Sequence, residues 1–291
     1  TVEGEALFLR AMTYFDMVRF YGGVPLRTAG VTNYGADLDI ERASADAIYA
    51  QVASDLNDAY IKLPASNGEF ADKYAAKALL ARVHLQLGNY AEALTAANDV
   101  LANSGHSLAS SFAGAFNNDS DSSEDIFAFQ VTSQDGSNAL VTHYAAMVFG
   151  GRGGDIVVDT YRSLFDSALD VRRGFFYISP DSGAICTYKY TNEYGNVPTL
   201  RIGEMHLIRA EANFRLGSST GLAPLTEINA LRARSGAPAL TALSLDLIFN
   251  ERQLELGFEG HILHDKKRFG KSILGLPSNS PKLVLPIPQS E

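Results

Sequence analysis

Apolar residues recur at three- and four-residue spacing near the start of the chain, in the series Phe8, Ala11, Met12, Phe15 and Val18. This periodicity predicts an amphipathic helix, and the pair Gly22-Gly23 predicts its end. A second helix is predicted between Ser44, whose hydroxyl suits an N-cap, and Pro64. The polar stretch that separates the two helices predicts a loop.

Two later stretches share the pattern of a helical hairpin. An Ala- and Leu-rich helix is predicted over 74–87, and Gly88 suits a left-handed cap before the next helix begins near Tyr90. The stretch 205–216 followed by Gly217 repeats this arrangement. Further helices are predicted at about 225–234, at 247–258 and up to residue 269. We therefore expect helical hairpins at both ends of the chain.

Residues 105–200 lack this helical periodicity. The pattern there predicts a strand at 126–131, a short helix at 161–165 and a hairpin strand at 186–194. The stretch contains the tyrosines Tyr144, Tyr161, Tyr177, Tyr188, Tyr190 and Tyr194. Since tyrosine combines an apolar face with a hydroxyl, these residues predict either strand and core packing or a stacking surface. Long irregular segments in compact domains are usually functional.

The charge and the cysteine content of the chain argue against several classes of function. The 291 residues carry 24 Lys and Arg against 33 Asp and Glu, a formal net charge of −9. Because phosphate binding requires clustered Lys and Arg, this balance argues against nucleic acid as a partner. Cys186 is the one cysteine, which excludes a disulfide framework and a cysteine-based zinc cluster. No stretch of sequence reaches the roughly 18 apolar residues of a membrane-spanning helix.

Two motifs resemble ligand sites but lack required residues. Gly270-Lys271-Ser272 has Asp265 where a phosphate-binding loop needs its first glycine. The stretch 119–130 opens with calcium-loop spacing, but Glu124 and Gln130 replace the glycine and the final glutamate of such a loop. We expect a solvated polar loop there, and the sequence leaves calcium binding open.

A row of carboxylates lies on one face of the helix predicted near 247–258. Glu251, Glu255 and Glu259 follow one another at four-residue spacing. Such a row offers an acid/base pair in principle, but pairing with arginines such as Arg232, Arg234 or Arg252 is the favoured interpretation. We predict that these glutamates are structural.

Several longer motifs occur in a fixed order along nearly the whole chain. They are Glu5-Ala6-Leu7-Phe8-Leu9-Arg10-Ala11, Tyr14-Phe15-Asp16, Tyr21-Gly22, Val24-Pro25-Leu26, Arg42-Ala43-Ser44, Ala78-Leu79-Leu80-Ala81-Arg82, Gly88-Asn89-Tyr90, Asp170-Val171-Arg172-Arg173, Leu207-Ile208-Arg209-Ala210-Glu211-Ala212, Phe258-Glu259-Gly260-His261, Lys267-Arg268-Phe269-Gly270 and Leu285-Pro286-Ile287-Pro288. In this order they resemble the SusD/RagB family, the surface nutrient-binding lipoproteins of Bacteroidetes.

The resemblance implies a mostly α fold with about four tetratricopeptide-like helix pairs and a few short strands in an irregular middle part. It implies a single domain over 1–291, with a helical scaffold at 1–104 and 201–270, a ligand-facing insertion at 105–200 and an extended segment at 271–291. It also implies a non-enzymatic protein without a cofactor. Such a protein captures an oligosaccharide or similar nutrient and passes it to a SusC-like TonB-dependent transporter.

The same resemblance implies a place on the extracellular face of the outer membrane, through a lipid anchor on a cysteine that is not in this sequence. Two alternatives stay open. One is a tetratricopeptide-like repeat scaffold that binds a peptide or protein, and the other is an all-α glycoside hydrolase.

We expect the ligand site on 105–200, because rigid frames position irregular functional segments. Arg152, inside the glycine-rich run 150–154, offers several fixed donors, and Asp155 offers acceptors for hydroxyls. The nearby aromatic side chains of Tyr144 and Phe149 are candidates for stacking on a sugar face. Further candidates, in the loop after the first helix, are Asn33 and Tyr34.

Overall fold

Helices form the frame of the protein in a computed structural model, which describes residues 1–32, 40–134, 136–152 and 159–287. The helices are α1 (Val2–Tyr21), α2 (Ala45–Lys62), α3 (Lys73–Leu87), α4 (Tyr90–Asn103), α5 (Ala139–Tyr144), α6 (Asp159–Arg162), α7 (Ile202–Leu216), α8 (Pro224–Arg234), α9 (Leu245–Leu256) and α10 (Ile262–Arg268). The strands are β1 (Asp125–Phe129), β2 (Phe176–Ile178), β3 (Ile185–Thr187) and β4 (Val197–Arg201). The fold is thus mostly helical, as the sequence predicts.

Caps fix where the hairpin helices begin and end. The Asp72 carboxylate accepts hydrogen bonds from the backbone N–H groups of Tyr74 and Ala75, both at 2.8 Å, at the start of α3. Gly88 (φ 75°) and Gly217 (φ 64°) end α3 and α7 in the left-handed conformation. Glycine adopts this conformation without steric cost, so both predicted caps are confirmed.

The helix pairs pack in succession around a shared core. Within each of the pairs α1–α2, α3–α4 and α7–α8 the helices pack together, and α4 packs against α7. This last contact joins two halves of the scaffold that are far apart in sequence. Helices α9 and α10 follow these three pairs, and they pack on earlier helices, α9 on α7 and α10 on α3. The largest core cluster includes Phe8, Phe15, Ile48, Leu56, Leu79, Phe127, Leu200 and Ile208.

Two small antiparallel sheets lie between the helical halves. In one, β1 pairs with β4 and Asp125 lies opposite Arg201. In the other, β2 pairs with β3 and Tyr177 lies opposite Cys186. The predicted strand at 126–131 is confirmed with a small shift, whereas the predicted strand at 186–194 is wrong beyond Thr187.

Asn117 explains the early end of β3. Its side-chain carbonyl accepts from the backbone N–H groups of Thr191 and Asn192, at 2.7 and 3.1 Å. Because a side chain satisfies these donors, the backbone there needs no neighbouring strand. The alternating sequence therefore folds as a turn.

The predicted carboxylate row lies inside a buried ion-pair network, although α9 ends at Leu256 and Glu259 lies beyond it. Glu255 contacts Arg234 at 2.5 Å and both Arg172 and Arg201 at 3.4 Å. Burial alone would raise the pKa of Glu255, but these guanidinium groups hold that pKa well below its usual value. The predicted pairing of this row with arginines is confirmed for Arg232 and Arg234, whereas Arg252 pairs with Asp265 instead. The network also joins the scaffold to residues 105–200, because Arg172 belongs to that segment.

Candidate functional site

The predicted site residues Tyr144, Phe149 and Arg152 lie on or just after α5. Hydrogen bonds hold the chain in place on both sides of this helix. Asn138 accepts from the backbone N–H of Leu140 at 2.8 Å and donates from its side chain to the Gly195 carbonyl oxygen at 2.9 Å. After α5, the Arg152 backbone N–H donates to the Thr142 carbonyl oxygen at 3.1 Å. The described part of the glycine-rich run therefore folds back onto α5.

Gly151 has a structural role that the sequence does not predict. A Cβ at this position would overlap the backbone carbonyl oxygens of Ala145 and Val141. The glycine is thus needed for close packing of the chain on α5.

Tyr144 and Phe149 are close in sequence, but their rings lie in different clusters. The Tyr144 ring packs against Tyr190 and Phe258, with centroids 5.2 and 6.3 Å apart. The Phe149 ring packs edge-on against Tyr177 at 5.1 Å. The rings diverge because the extended backbone of Ala145 turns the chain after α5.

The cluster that contains Phe149 is a partly exposed surface, which we call the aromatic surface. It is formed by Phe149, Tyr177 and Tyr188. The Tyr177 and Tyr188 rings lie 4.8 Å apart at an angle of 42°, and Tyr188 is 36% exposed. The Tyr177 hydroxyl accepts from the backbone N–H of Ala146 at 2.9 Å, which fixes its ring. These positioned and partly exposed rings supply the apolar surface that a stacking ligand requires.

The second feature is a cavity of about 510 Å³ between α9, α10 and the stretches that carry α5 and α6, which we call the junction pocket. Its wall includes Tyr144, Tyr161, Arg252, Phe258, His261, Asp265 and Lys266. Phe258 has φ 67°, a rare conformation for a bulky residue. This backbone conformation accompanies ring contacts of Phe258 with Tyr144, Tyr161 and Phe176.

Charges at the junction pocket are partly neutralised within the protein. Asp265 accepts from Arg252 at 3.1 Å and from Arg268 at 2.7 Å. Burial opposes ionisation of Asp265, but both guanidinium groups hold its pKa well below its usual value. Burial lowers the pKa of His261 to about 4, so its imidazole is uncharged at neutral pH.

The other predicted site residues are Arg152, Asp155, Asn33 and Tyr34. The Arg152 side chain is exposed at the end of the described part of the glycine-rich run. Asn33, Tyr34 and Asp155 lie outside the described residues. Sequence reasoning singled out neither Phe258 nor Lys266 for binding. Phe258 belongs to the motif Phe258-Glu259-Gly260-His261, and this motif was the one signal in the sequence that could have pointed to it.

The carboxylates of the loop at 119–130 accept hydrogen bonds from protein side chains: Asp119 accepts from Asn192 at 2.6 Å, and Asp121 accepts from Gln130 at 2.8 Å. Within 1–32, 40–134, 136–152 and 159–287, no group of three His, Cys, Asp or Glu residues is placed to hold a metal ion. In the same ranges, no helix has the length and apolar character needed to cross a membrane.

Two family models match the chain. A model described as starch-binding and associating with the outer membrane matches residues 1–85. The model of the SusD family, SusD/RagB, matches residues 182–291. Together the two matches cover more than half of the chain. They flank α5, Phe149 and Tyr177, whereas Tyr188 lies within the second match.

Individual relatives agree with these matches. SusD-like protein P38 of Formosa agariphila is 36% identical over 106 residues, which are 36% of this chain and 21% of that protein. SusD-like protein P2 of the same organism is 25% identical over 100% of this chain and 71% of its own length. A solved laminarin-binding SusD-like protein has a TM-score of 0.79 at 24% identity, over 92% of this chain and 70% of its own. Taken with the two family models, these likenesses show that the chain belongs to the SusD/RagB family.

Proposed function

We propose that this protein is a non-catalytic binding protein that captures an oligosaccharide, or a similar nutrient, on the aromatic surface. The observation that carries the proposal is the arrangement of Phe149, Tyr177 and Tyr188, whose adjoining rings are partly open to solvent. Sugar rings have apolar faces that stack on such side chains, and neighbouring hydroxyls supply hydrogen bonds. The starch-binding description of the family model that matches residues 1–85 supports this ligand class.

The state of the strongest acid/base candidates supports a binding role. Glu255 is fully buried and paired with three arginines, and Glu259 accepts from Lys189 at 2.5 Å and Arg201 at 2.9 Å. Arg201 and Lys189 overcome the effect of burial and lower the pKa of Glu259 to about 2. A carboxylate held in its charged form cannot act as a general acid near neutral pH.

We place this binding step at the outer membrane, where the protein delivers its ligand to a SusC-like TonB-dependent transporter. The association of the matching family with the outer membrane supports this placement. In this proposal the protein faces the cell exterior and is held by a lipid anchor on a cysteine upstream of Thr1.

The ligand class is tested by calorimetric titration with a panel of α- and β-glucan oligosaccharides, followed by analysis of the sugars after the titration. We expect binding of at least one oligosaccharide, which is recovered intact. Absence of binding across neutral and charged glycans, or release of shorter sugars, would overturn the proposal. A peptide ligand whose affinity is independent of the aromatic surface would favour the repeat-scaffold alternative.

The partner is tested by affinity purification from detergent-solubilised outer membranes of the native organism. We expect a TonB-dependent β-barrel protein to co-purify in a stoichiometric amount. Recovery of the binding protein alone, under conditions that preserve other outer-membrane complexes, would contradict the proposed delivery step.

A further inference from the structure

The junction pocket is separate from the aromatic surface and has features of a second ligand site. Its volume of about 510 Å³ lies within the usual range for small-molecule sites. The Phe258 ring lies 5.0 Å from Tyr161 and 6.3 Å from Tyr144, so three rings form one apolar wall. A wall of this kind suits one face of a pyranose ring.

Polar groups at the same pocket lack partners. The Arg252 side chain is 2% exposed, and its Nε donates to Asp265. Its Nη1 is buried and has no hydrogen-bond partner in the described part of the chain. Burial of an unpaired guanidinium nitrogen costs free energy that an incoming acceptor would recover.

Lys266 adds a second cationic group to the pocket wall. This residue is half-buried, and its ammonium group forms no ion pair within the ranges that the structure describes. Asp265 is already neutralised by Arg252 and Arg268, and His261 is uncharged at neutral pH. The charged groups that line the pocket, Arg252, Asp265 and Lys266, therefore carry one net positive charge, although the whole chain carries −9.

From this combination we infer that the junction pocket binds a sugar unit that carries a carboxylate, a uronate residue. The rings of Tyr144, Tyr161 and Phe258 contact the sugar face, and the carboxylate accepts from Arg252 and Lys266. A guanidinium and an ammonium group form charge-assisted hydrogen bonds with a carboxylate, which a neutral sugar cannot replace. This inference rests on the proposed function, which makes the ligand an oligosaccharide. It adds that the bound sugar unit carries a negative charge and that this unit lies in the junction pocket.

The test compares two probes that differ at one carbon: methyl β-D-glucuronide and methyl β-D-glucoside. Each is titrated against the full chain by ligand-observed NMR, which detects weak binding. We expect the glucuronide to bind at least about tenfold more tightly than the glucoside, because a hydrogen bond to a charged group contributes about that factor. The preference should decrease as salt is added.

Lys266→Gln is the principal variant, because loss of an unpaired side chain leaves the fold intact. We expect it to weaken glucuronide binding about tenfold. Lys282→Gln is the matched control, since Lys282 is exposed, does not line the pocket and undergoes the same change of charge. Tyr144→Phe, which keeps the ring and removes its hydroxyl, should retain the preference for the glucuronide.

Equal affinities for the two probes, or an unchanged glucuronide affinity in Lys266→Gln, would overturn the inference. The proposed function is tested separately with neutral oligosaccharides and with variants of the aromatic surface. Neutral glycan binding that depends on Tyr188, without any glucuronide preference, would leave the proposed function standing and refute the uronate site.

Discussion

The Tyr161 ring lies so close to the backbone of Gly257 that a Cβ at Gly257 would come within 2.6 Å of it. The Tyr161 hydroxyl also donates to the carbonyl oxygen of Leu254 at 2.6 Å. These two contacts fasten residues 105–200 to the C-terminal end of α9. They also fix one ring of the junction pocket.

Gly257→Ala should therefore destabilise the protein by about 1–3 kcal/mol, because an added methyl group overpacks a tight contact. The measurement is chemical denaturation followed by circular dichroism. Gly174→Ala is the control, since a Cβ at Gly174 would meet nothing within 4 Å. Equal stability of the two variants would show that Tyr161 moves aside without cost.

Gly88→Val should lower the free energy of unfolding by about 1 kcal/mol or more. Gly88 has φ 75°, a conformation in which a β-branched side chain is strained. Gly88→Asn should cost less, because asparagine tolerates the left-handed region. Thermal melts of both variants test the cap, and a Val variant as stable as the wild type would contradict it.

Glu255→Ala should destabilise the protein by about 3–5 kcal/mol, because Arg172, Arg201 and Arg234 lose a buried partner. Asp246→Ala is a matched control, since Asp246 is 75% exposed and its pair with Lys271 lies in solvent. We expect no measurable loss there. A stably folded Glu255→Ala protein that no longer binds glycan would show that Glu255 has a binding role.

The sequence predicts features that depend on neighbouring residues better than features that depend on residues far apart in the chain. Gly88 and Gly217 follow apolar helical runs, so local pattern is sufficient to predict both caps. The pairing of Glu255 with Arg234 is also predictable, because buried carboxylates need cationic partners. The separation of the Tyr144 and Phe149 rings is not, since it depends on the turn at Ala145 and on ring partners distant in sequence.

The junction pocket illustrates the same limit. Tyr161 and Phe258 are almost 100 residues apart in sequence, and only tertiary packing places their rings 5.0 Å apart. Whether Arg252 Nη1 has a hydrogen-bond partner depends on which carboxylate accepts from the Nε of the same side chain. No periodicity or spacing in the sequence carries that information.

Stability should fall as the pH decreases from about 6.5 to about 4. Burial lowers the pKa of His261 to about 4 and that of His264 to about 3, whereas the unfolded chain has histidine pKa values of about 6.5. Within this window both histidines bind more protons in the unfolded chain, so in acid they favour unfolding. Asp125, whose pKa burial raises to about 6, offsets part of this effect. His261 should contribute about 3 kcal/mol and His264 about 5 kcal/mol, and both contributions are fully present above pH 6.5.

Urea denaturation at several pH values measures this dependence, and His261→Gln isolates one group. The variant should lose stability less steeply than the wild type between pH 6.5 and 4.5. Glu259, with a pKa lowered to about 2, acts below this range because an unfolded glutamate titrates near 4.3. Parallel pH profiles for the wild type and the variant would contradict the account of His261.

The central claim, that the aromatic surface binds glycan, is tested most directly by calorimetric titration of Tyr188→Ala with an oligosaccharide that binds the wild type. Loss of one stacking platform should weaken binding by about 1–3 kcal/mol, or roughly fivefold to 150-fold. Phe70→Ala is the control, since Phe70 is 68% exposed and lies outside residues 105–200. We predict a large loss for Tyr188→Ala and none for Phe70→Ala. Unchanged affinity in a folded Tyr188→Ala variant would contradict the claim.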